Sequence, residues 1–263
     1  MTDTRSTPAA SEDPDLTGTV AVVTGGSRGI GAATAGALAA HGAAVAVVGR
    51  DRAAIDAAVA AITATGGRAI GVPADCTSQD DLQALHRTVG DQLGPVDILA
   101  AFAGGNGAPV ATAQESGAHW RSVLEGDLTA TFLTVSAFLP TMIAARHGVI
   151  ITMSSAVARQ PAQSSAAYAA AKAGVIAFSR HLASEVAEQG IRVNCLAPAA
   201  VENDTMRQHL PADRRAALVA SFPLGRIGQP DDVAAAAALF LASPASSWIT
   251  GITLDVAGGK IMI

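Results

Sequence analysis

Short apolar runs alternate with longer alanine-rich stretches from residue 19 to residue 256, and this rhythm limits the possible folds most strongly. Seven runs are nearly continuous in apolar residues, as in parallel strands that helices cover on both faces. These predicted strands are 19–23, 44–48, 68–72, 96–100, 149–153, 192–196 and 252–255. The predicted helices lie near 30–41, 51–65, 79–93, 117–145, 165–189 and 230–242. With right-handed crossovers, the pattern predicts an α/β fold: one doubly wound domain with a seven-stranded parallel sheet flanked by helices on both faces.

Length and loop composition suggest how the chain is organised. No Pro/Gly/Ser-rich linker divides the 263 residues, so we expect one domain over residues 16–263. Residues 1–15 lack the basic start and apolar stretch of a signal peptide, and we predict a disordered tail there. Residues 199–229 carry several prolines and glycines around short helical stretches. We predict that they form a lid on the substrate side of the sheet.

Composition and charge exclude several classes of protein. The chain is 50% hydrophobic with a net charge of −5, which is not the composition of a disordered protein. The longest uninterrupted apolar run, 233–242, is about half of the ~20 residues that span a membrane. Lys+Arg 17 against Asp+Glu 22 leaves no basic excess for nucleic acid. Cys76 and Cys195 lack metal-ligand spacing, so we expect no metal site and a reducing, cytoplasmic location.

A glycine-rich turn, Thr24-Gly25-Gly26-Ser27-Arg28-Gly29-Ile30-Gly31, follows the first predicted strand. Glycines let the backbone approach a pyrophosphate, and the N–H groups and dipole of the next helix favour its negative charge. Glycine can also serve a merely structural corner, but the strand–turn–helix context near the chain start favours nucleotide binding. The predicted cofactor contacts in this turn are Gly25, Ser27, Arg28, Gly29, Ile30 and Gly31.

The end of the second predicted strand indicates which dinucleotide binds. An NAD site places Asp or Glu there, whereas this chain has Gly49 and Arg50, with Arg28 and Arg52 nearby. Guanidinium groups bind a 2′-phosphate through charge-assisted hydrogen bonds, and a carboxylate would repel it. We therefore predict NADP(H) in preference to NAD(H). The alternative is that Arg50 and Arg52 only solvate the start of the next helix.

The only tyrosine of the chain, Tyr168, lies four residues before Lys172, on the same face of a predicted helix. An ammonium group beside a phenol stabilises the phenolate, so the pair can move a proton near neutral pH. Ser155 ends the fifth predicted strand, at the sheet edge where open α/β sheets place their chemistry. A lone Tyr–Lys pair is usually surface packing, but the glycine turn and Ser155 favour an active site.

With these features together, the sequence resembles the short-chain dehydrogenase/reductase family, in its 3-oxoacyl-reductase-like branch, over about residues 16–259. Asp75 and the stretch 194–198 also carry the likeness. The resemblance implies a Rossmann fold with Tyr168 as proton donor and Ser155 as the group that positions the carbonyl. It implies that Lys172 contacts both the nicotinamide ribose and the tyrosine.

The resemblance also implies cofactor contacts beyond the glycine turn. Asp75 and Cys76 would border the adenine, and the backbone of Val201 would contact the carboxamide. The remaining predicted contacts are Asp75, Cys76, Ala103, Gly104, Tyr168, Lys172, Pro198, Val201 and Asn203, together with Arg50. The helices at 117–145 and 165–189 would form subunit contacts in a homotetramer or homodimer.

The chain departs from the family pattern at three places. Ala101-Phe102-Ala103-Gly104 stands where the family carries Asn-Asn-Ala-Gly, so two amides that brace the strand are lost. Asp127 replaces the catalytic Asn of the family, which acts largely through its main-chain carbonyl. We predict that Asp127 tunes Lys172; the alternative is a carboxylate that only binds backbone at a helix bend. In the lid, Pro198-Ala199 replaces Pro-Gly, and Asn203 replaces Thr.

These features predict reversible, NADPH-dependent reduction of a ketone or other small carbonyl compound. A carrier-linked 3-oxoacyl substrate is an alternative, but only Arg146 matches the basic docking patch of that branch, and Gln189 occupies the second position. A cofactor-bound dehydratase, epimerase or cyclase is a second alternative, and a non-catalytic NADP-binding regulator is a third. The candidate pocket residues, each also explained by a cap or core role, are Phe102, Gly105, Asn106, Gln160 and Leu224.

Overall fold

The structure is a computed structural model that describes residues 14–105 and 108–262. Its sheet has seven parallel strands in the order β3-β2-β1-β4-β5-β6-β7, which confirms the predicted doubly wound fold. The strands are β1 Val20–Thr24, β2 Ala44–Gly49, β3 Arg68–Pro73, β4 Ile98–Ala101, β5 Gly148–Met153, β6 Ile191–Pro198 and β7 Thr253–Val256.

Helices connect the strands at the predicted places. They are α1 Gly29–Ala40, α2 Arg52–Ala64, α3 Gln79–Gln92, α4 Gly117–Leu124, α5 Ala130–Ala145, α6 Ala166–Val186, α7 Asp204–His209, α8 Ala212–Ala220 and α9 Pro230–Ala234. A π-helical segment, Glu125–Thr129, joins α4 to α5. A second one, Ala235–Leu241, extends α9.

Two hydrophobic layers bury both faces of the sheet. Along β1, Ala21 and Val23 pack into the layer that α1, α2 and α9 cover. Val20 and Val22 pack into the opposite layer, under α3, α5 and α6. Because both faces are covered, most positions along the strands are apolar, which explains the nearly continuous apolar runs in the sequence.

The helical stretch Gly117–Ala145 is long and apolar enough, by length and composition, to cross a membrane. The length of the longest uninterrupted apolar run does not reveal this property, because polar residues interrupt the stretch. Phe138 and Met142 of α5 are fully buried against the sheet. The stretch is therefore a core helix of the domain.

Two further predictions concern the start of the chain and the lid. Most of the predicted tail, residues 1–13, lies outside the described residues, and Asp15 at its end accepts a hydrogen bond from the Thr17 amide. The segment 199–229, for which a lid is predicted, contains the two short helices α7 and α8. An isolated bridge between Val201 and Gly228 closes it at its base. The buried Glu202 carboxylate binds the Arg215 guanidinium of α8 and so ties that helix to the base.

Candidate active site

The turn after β1 has a backbone that only glycine fits. Gly25 and Gly29 have positive φ angles of 64° and 52°. A Cβ atom at Gly31 would lie 2.1 Å from the Gly25 carbonyl oxygen, and one at Gly26 would lie 2.5 Å from that of Val23. These approaches let α1 begin directly above the end of β1. The turn is therefore shaped so that the helix start can receive a phosphate group.

One half of the cleft over the sheet, about 370 Å³, lies beside the ends of β2 and β3. The predicted cofactor residues that line it are Gly25, Ser27, Arg28, Arg50, Asp75, Cys76, Ala103 and Gly104. Hydrogen bonds from the Thr77 amide and hydroxyl lower the pKa of Asp75, with a smaller contribution from the charge of Arg50. Burial raises the pKa of the Cys76 thiol. This half therefore presents a carboxylate and a neutral thiol.

The arginines near this half-cleft differ in their partners. The Arg28 guanidinium forms an ion pair with Asp51, which also lines the cleft. Arg52 instead pairs with Asp56 one turn along α2, at 2.9 Å. For Arg52, this agrees with the alternative that it only solvates the start of the helix. Arg50 lies in the cleft wall itself. Arg28 and Arg50 are thus the two cations that this half of the cleft offers to a phosphate.

The other half of the cleft, about 350 Å³, brings Ser155, Tyr168 and Lys172 together. It shares Gly25 and Gly104 with the first half, so one groove crosses the carboxyl edge of the sheet. Ser155 follows β5, and Tyr168 lies in the first turn of α6, where the Ser165 hydroxyl accepts a hydrogen bond from its amide. The glycine turn and the three predicted catalytic side chains therefore border the same groove.

Lys172 is almost fully buried and its ammonium group is held from two sides. Nζ donates to the Met153 carbonyl oxygen at 3.1 Å and pairs with Asp127 Oδ1 at 3.0 Å. It lies 5.5 Å from the centre of the Tyr168 ring. The Ser154 hydroxyl, which is also buried, donates to the Lys172 carbonyl oxygen at 2.7 Å. These contacts place the ammonium group beside the phenol.

The Asp127 carboxylate makes both contacts considered from the sequence: one with Lys172 and one with a backbone amide. Its carboxylate is inaccessible to solvent, accepts a 2.6 Å hydrogen bond from the Gly105 amide and pairs with Lys172. A Cβ at Gly104 would approach Asp127 Oδ1 to 2.5 Å, so glycine is required there. The Asp127 main-chain carbonyl accepts from the Thr131 hydroxyl at 3.1 Å. The π-helical segment thus carries a buried carboxylate into contact with both Lys172 and the loop after β4.

A residue that the sequence reasoning missed braces the end of β4. The buried Thr24 hydroxyl accepts hydrogen bonds from the Phe102 and Ala103 amides, at 3.0 and 3.2 Å. Phe102 itself packs into the hydrophobic layer below the site. The only sign of this role in the sequence is that Thr24 is the single polar residue of an otherwise apolar strand. Thr24 therefore binds the strand end that lacks the two amides of the family pattern.

The remaining predicted residues lie at the edge of the groove. Ile30, Gly31 and Pro198 line its catalytic half, and Gly29 begins α1 beside it. Val201 lines an adjoining cavity of about 220 Å³ under the lid. Asn203 caps α7, with Oδ1 accepting from the Met206 amide at 2.9 Å.

The candidate pocket residues are spread over three places. Phe102 and Gly105 line the catalytic half of the groove, and Leu224 lines the lid cavity. Gln160 lines a separate open groove beside the loop that follows Ser155. Asn106 lies outside the described residues.

Comparisons with known proteins agree with this architecture. A family model described as "Enoyl-(Acyl carrier protein) reductase" matches residues 25–260. A 3-oxoacyl-[acyl-carrier-protein] reductase of Synechocystis sp. is 38% identical over 248 residues, covering 94% of this chain and 98% of that protein. A cis-4-hydroxycyclohexanecarboxylate dehydrogenase of Sinomonas cyclohexanicum is 42% identical over 241 residues, covering 91% and 95%. The crystal structure of a short-chain type dehydrogenase/reductase from Mycobacterium marinum matches with a TM-score of 0.88 at 31% identity, covering 95% and 98%.

Proposed function

This chain belongs to the short-chain dehydrogenase/reductase family, and from that premise we propose that it uses NADPH to reduce a free ketone reversibly to an alcohol. It is an NAD(P)-dependent oxidoreductase of the carbonyl reductase or dehydrogenase type. The observation that carries the proposal is the convergence of Ser155, Tyr168 and Lys172 on the groove that begins at the glycine turn.

The proposed mechanism divides the work among three side chains. The Ser155 and Tyr168 hydroxyls hold the substrate oxygen, and Tyr168 gives it a proton as negative charge develops. When bound, the reduced nicotinamide supplies the hydride. Lys172 keeps a positive charge 5.5 Å from the Tyr168 ring centre and stabilises the phenolate that remains. The groove contributes orientation by holding both reactants against the sheet edge.

The groove fits a dinucleotide, and we propose NADP(H). The close backbone approaches at Gly26 and Gly31 let α1 begin directly above the end of β1, where its first N–H groups can receive a pyrophosphate. Arg28 and Arg50 in the same cleft are suited to a 2′-phosphate. Asp51 holds Arg28 by an ion pair, so the acid contributes to placing the guanidinium. The proposed cofactor contacts are those predicted from the sequence.

We propose that Asp127 acts as a positioning residue through Lys172. Its carboxylate holds the ammonium group together with the Met153 carbonyl and partly balances its charge. The same oxygen anchors Gly105 beside the groove. The Asp127 side chain thereby links the Tyr168–Lys172 pair to the loop after β4, which lines the groove.

A free ketone fits the surface better than a carrier-linked substrate. The guanidinium of Arg146, the one match to the docking patch, donates to the main-chain carbonyl of Glu188. The neighbouring position is the uncharged Gln189. We propose small carbonyl compounds as substrates, and the relative named for cis-4-hydroxycyclohexanecarboxylate makes 4-oxocyclohexanecarboxylate a sensible first member of an assay panel.

The test follows NADPH absorbance with a panel of ketones and with a 3-oxoacyl thioester on an acyl carrier protein. Loss of NADPH with a free ketone and formation of the alcohol would support the proposal. Reduction of the carrier-linked substrate alone would favour the 3-oxoacyl reductase alternative. Product formation without NADPH loss would favour the non-redox alternative.

We also propose self-association in the cytoplasm. Phe132 of α5 is half exposed and its ring meets that of Phe178 on α6 edge-on, with centroids 6.0 Å apart. An exposed phenylalanine that packs on a partly buried one at these helices suits the subunit contact that the family pattern implies. Light scattering on the purified protein would distinguish a tetramer, a dimer and a monomer.

A further inference from the structure

Lysine is rare in this chain: the sequence contains only Lys172 and Lys260. Lys172 is buried in the catalytic half of the groove. Lys260 follows β7, and β7 pairs with β6 at the carboxyl edge of the sheet, the edge that carries Ser155 and the lid. The second lysine of the chain therefore lies at the same sheet edge as the proposed active site, and we asked what its ammonium group could bind there.

Lys260 joins the lid to the loop that follows Ser155. Its Nζ donates to the Ser221 hydroxyl at 3.0 Å and lies 4.9 Å from the centre of the Phe222 ring. Its carbonyl oxygen accepts from Gln160 Nε2 at 3.3 Å. Ser221 follows α8 of the lid, and Gln160 lies five residues after Ser155 in the chain. The amine is therefore held at the meeting point of the two segments that flank the substrate side.

The lid cavity connects this position to the catalytic groove. Phe222 and Gly258 line the cavity of about 220 Å³ under the lid. Ala199 lines both that cavity and the catalytic half of the groove. A substrate whose carbonyl lies at Ser155 can extend past Ala199 toward Phe222. Its distal end would then reach Phe222, whose ring centre lies 4.9 Å from Lys260 Nζ.

The charge of Lys260 is not balanced by a carboxylate within the described part of the chain, 14–105 and 108–262. Four of the five arginines of the lid and of the Ser155 loop are paired: Arg159 with Asp255, Arg207 with Asp204, Arg215 with Glu202 and Arg226 with Asp232. The fifth, Arg214, is exposed on α8. Asp255, the acid nearest to Lys260 in the sequence, is thus occupied by Arg159. An ammonium group whose described partners are neutral attracts an anion, and Lys260 Nζ has further donors for one.

We propose that Lys260 recognises a carboxylate on the carbonyl substrate, so that the preferred substrates are keto acids whose carboxylate lies distal to the reacting carbonyl. This inference rests on the proposed reductase function and specifies its substrate class. Lys260 determines specificity by binding the anion. The proton and hydride transfers take place at the other end of the substrate.

The test compares two ketones that differ only in charge, 4-oxocyclohexanecarboxylate and its methyl ester. In Lys260→Met, KM for the acid should rise about tenfold or more while kcat stays within about twofold, because a charge-assisted hydrogen bond is lost from ground-state binding. The ester should be unaffected. Lys260→Arg should retain most of the preference for the acid.

Arg214→Met is the matched control, since Arg214 is exposed on α8 and forms no ion pair among the described residues. If general surface charge attracted the acid, this variant would raise KM as much as Lys260→Met. Equal KM values for acid and ester in the wild-type protein, or a Lys260→Met variant that affects both alike, would overturn the inference.

A binding measurement separates this inference from the proposed function. Calorimetry with NADPH-saturated protein compares cyclohexanecarboxylate with cyclohexanecarboxamide, neither of which can be reduced at a ring carbonyl. Binding of the acid, weakened in Lys260→Met, would support the role of Lys260 even if no ketone in the panel turned over. Absence of any preference for the acid would refute that role, whatever the turnover assays show.

Discussion

Replacing Asp127 with Asn tests whether the charge of its carboxylate, paired with Lys172, stabilises the fold and affects catalysis. The change is nearly isosteric and removes one negative charge. Both side chains are shielded from solvent, with exposed fractions of 3% for Lys172 and 0% for Asp127, so neither water nor salt screens their attraction effectively. Removing one partner of a buried pair costs about 3–5 kcal/mol, because the remaining charge loses its compensation.

Asn retains an oxygen for the Gly105 amide, so we expect the lower end of that range, about 3 kcal/mol. For a domain of this size, each kcal/mol corresponds to a change in Tm of about 2–4 °C, which gives a decrease of about 6–12 °C. Thermal unfolding measured by circular dichroism checks this. The matched control is Asp56→Asn, which breaks the exposed Arg52–Asp56 pair and should lower Tm by no more than about 2 °C.

The same variant should change the pH dependence of reduction. Without the carboxylate, the positive charge of Lys172 acts on Tyr168 uncompensated and favours the phenolate. Because reduction needs the protonated phenol, the alkaline fall of kcat/KM should move to lower pH. A Tm equal to that of Asp56→Asn, together with an unchanged pH profile, would refute a positioning role for Asp127.

Two further predictions concern the cofactor half of the groove and the end of β4. Arg50→Ser should raise KM for NADPH about tenfold or more while leaving KM for NADH nearly unchanged, because only NADPH carries the 2′-phosphate; equal effects on both cofactors, measured in parallel steady-state assays, would contradict this. Thr24→Val should lower the free energy of unfolding by about 1–3 kcal/mol, since the Phe102 and Ala103 amides lose their acceptor. Thr63→Val, at an exposed hydroxyl on α2, is the control for urea unfolding, and equal losses in the two variants would count against the bracing role.

The sheet could be predicted from the sequence because burial on both faces makes the strands mostly apolar. All seven strands appear within about two residues of the predicted starts, and glycines with positive φ mark the first turn. The placement of Tyr168 and Lys172 on one helix also follows from local spacing, since residues four apart share a face. These features depend on nearby residues alone.

The contacts that the sequence did not reveal join distant parts of the chain. Thr24 and Phe102 are 78 residues apart, and the sequence gives no local sign that one accepts a hydrogen bond from the other. Asp127 reaches Lys172 because the π-helical segment turns its carboxylate into the core. The apolar runs also gave no sign that Gly117–Ala145 is apolar enough to cross a membrane, and its place in the core depends on packing against the sheet.

The most direct test of the mechanism is the single-atom change Tyr168→Phe, assayed for ketone reduction and for NADPH binding by fluorescence titration. The account predicts that turnover falls by at least about a hundredfold, since a positioned general acid contributes ~10²–10⁴-fold, while Kd for NADPH stays within about twofold. Reduction at near wild-type rates in Tyr168→Phe would contradict the assignment of this phenol as the proton donor.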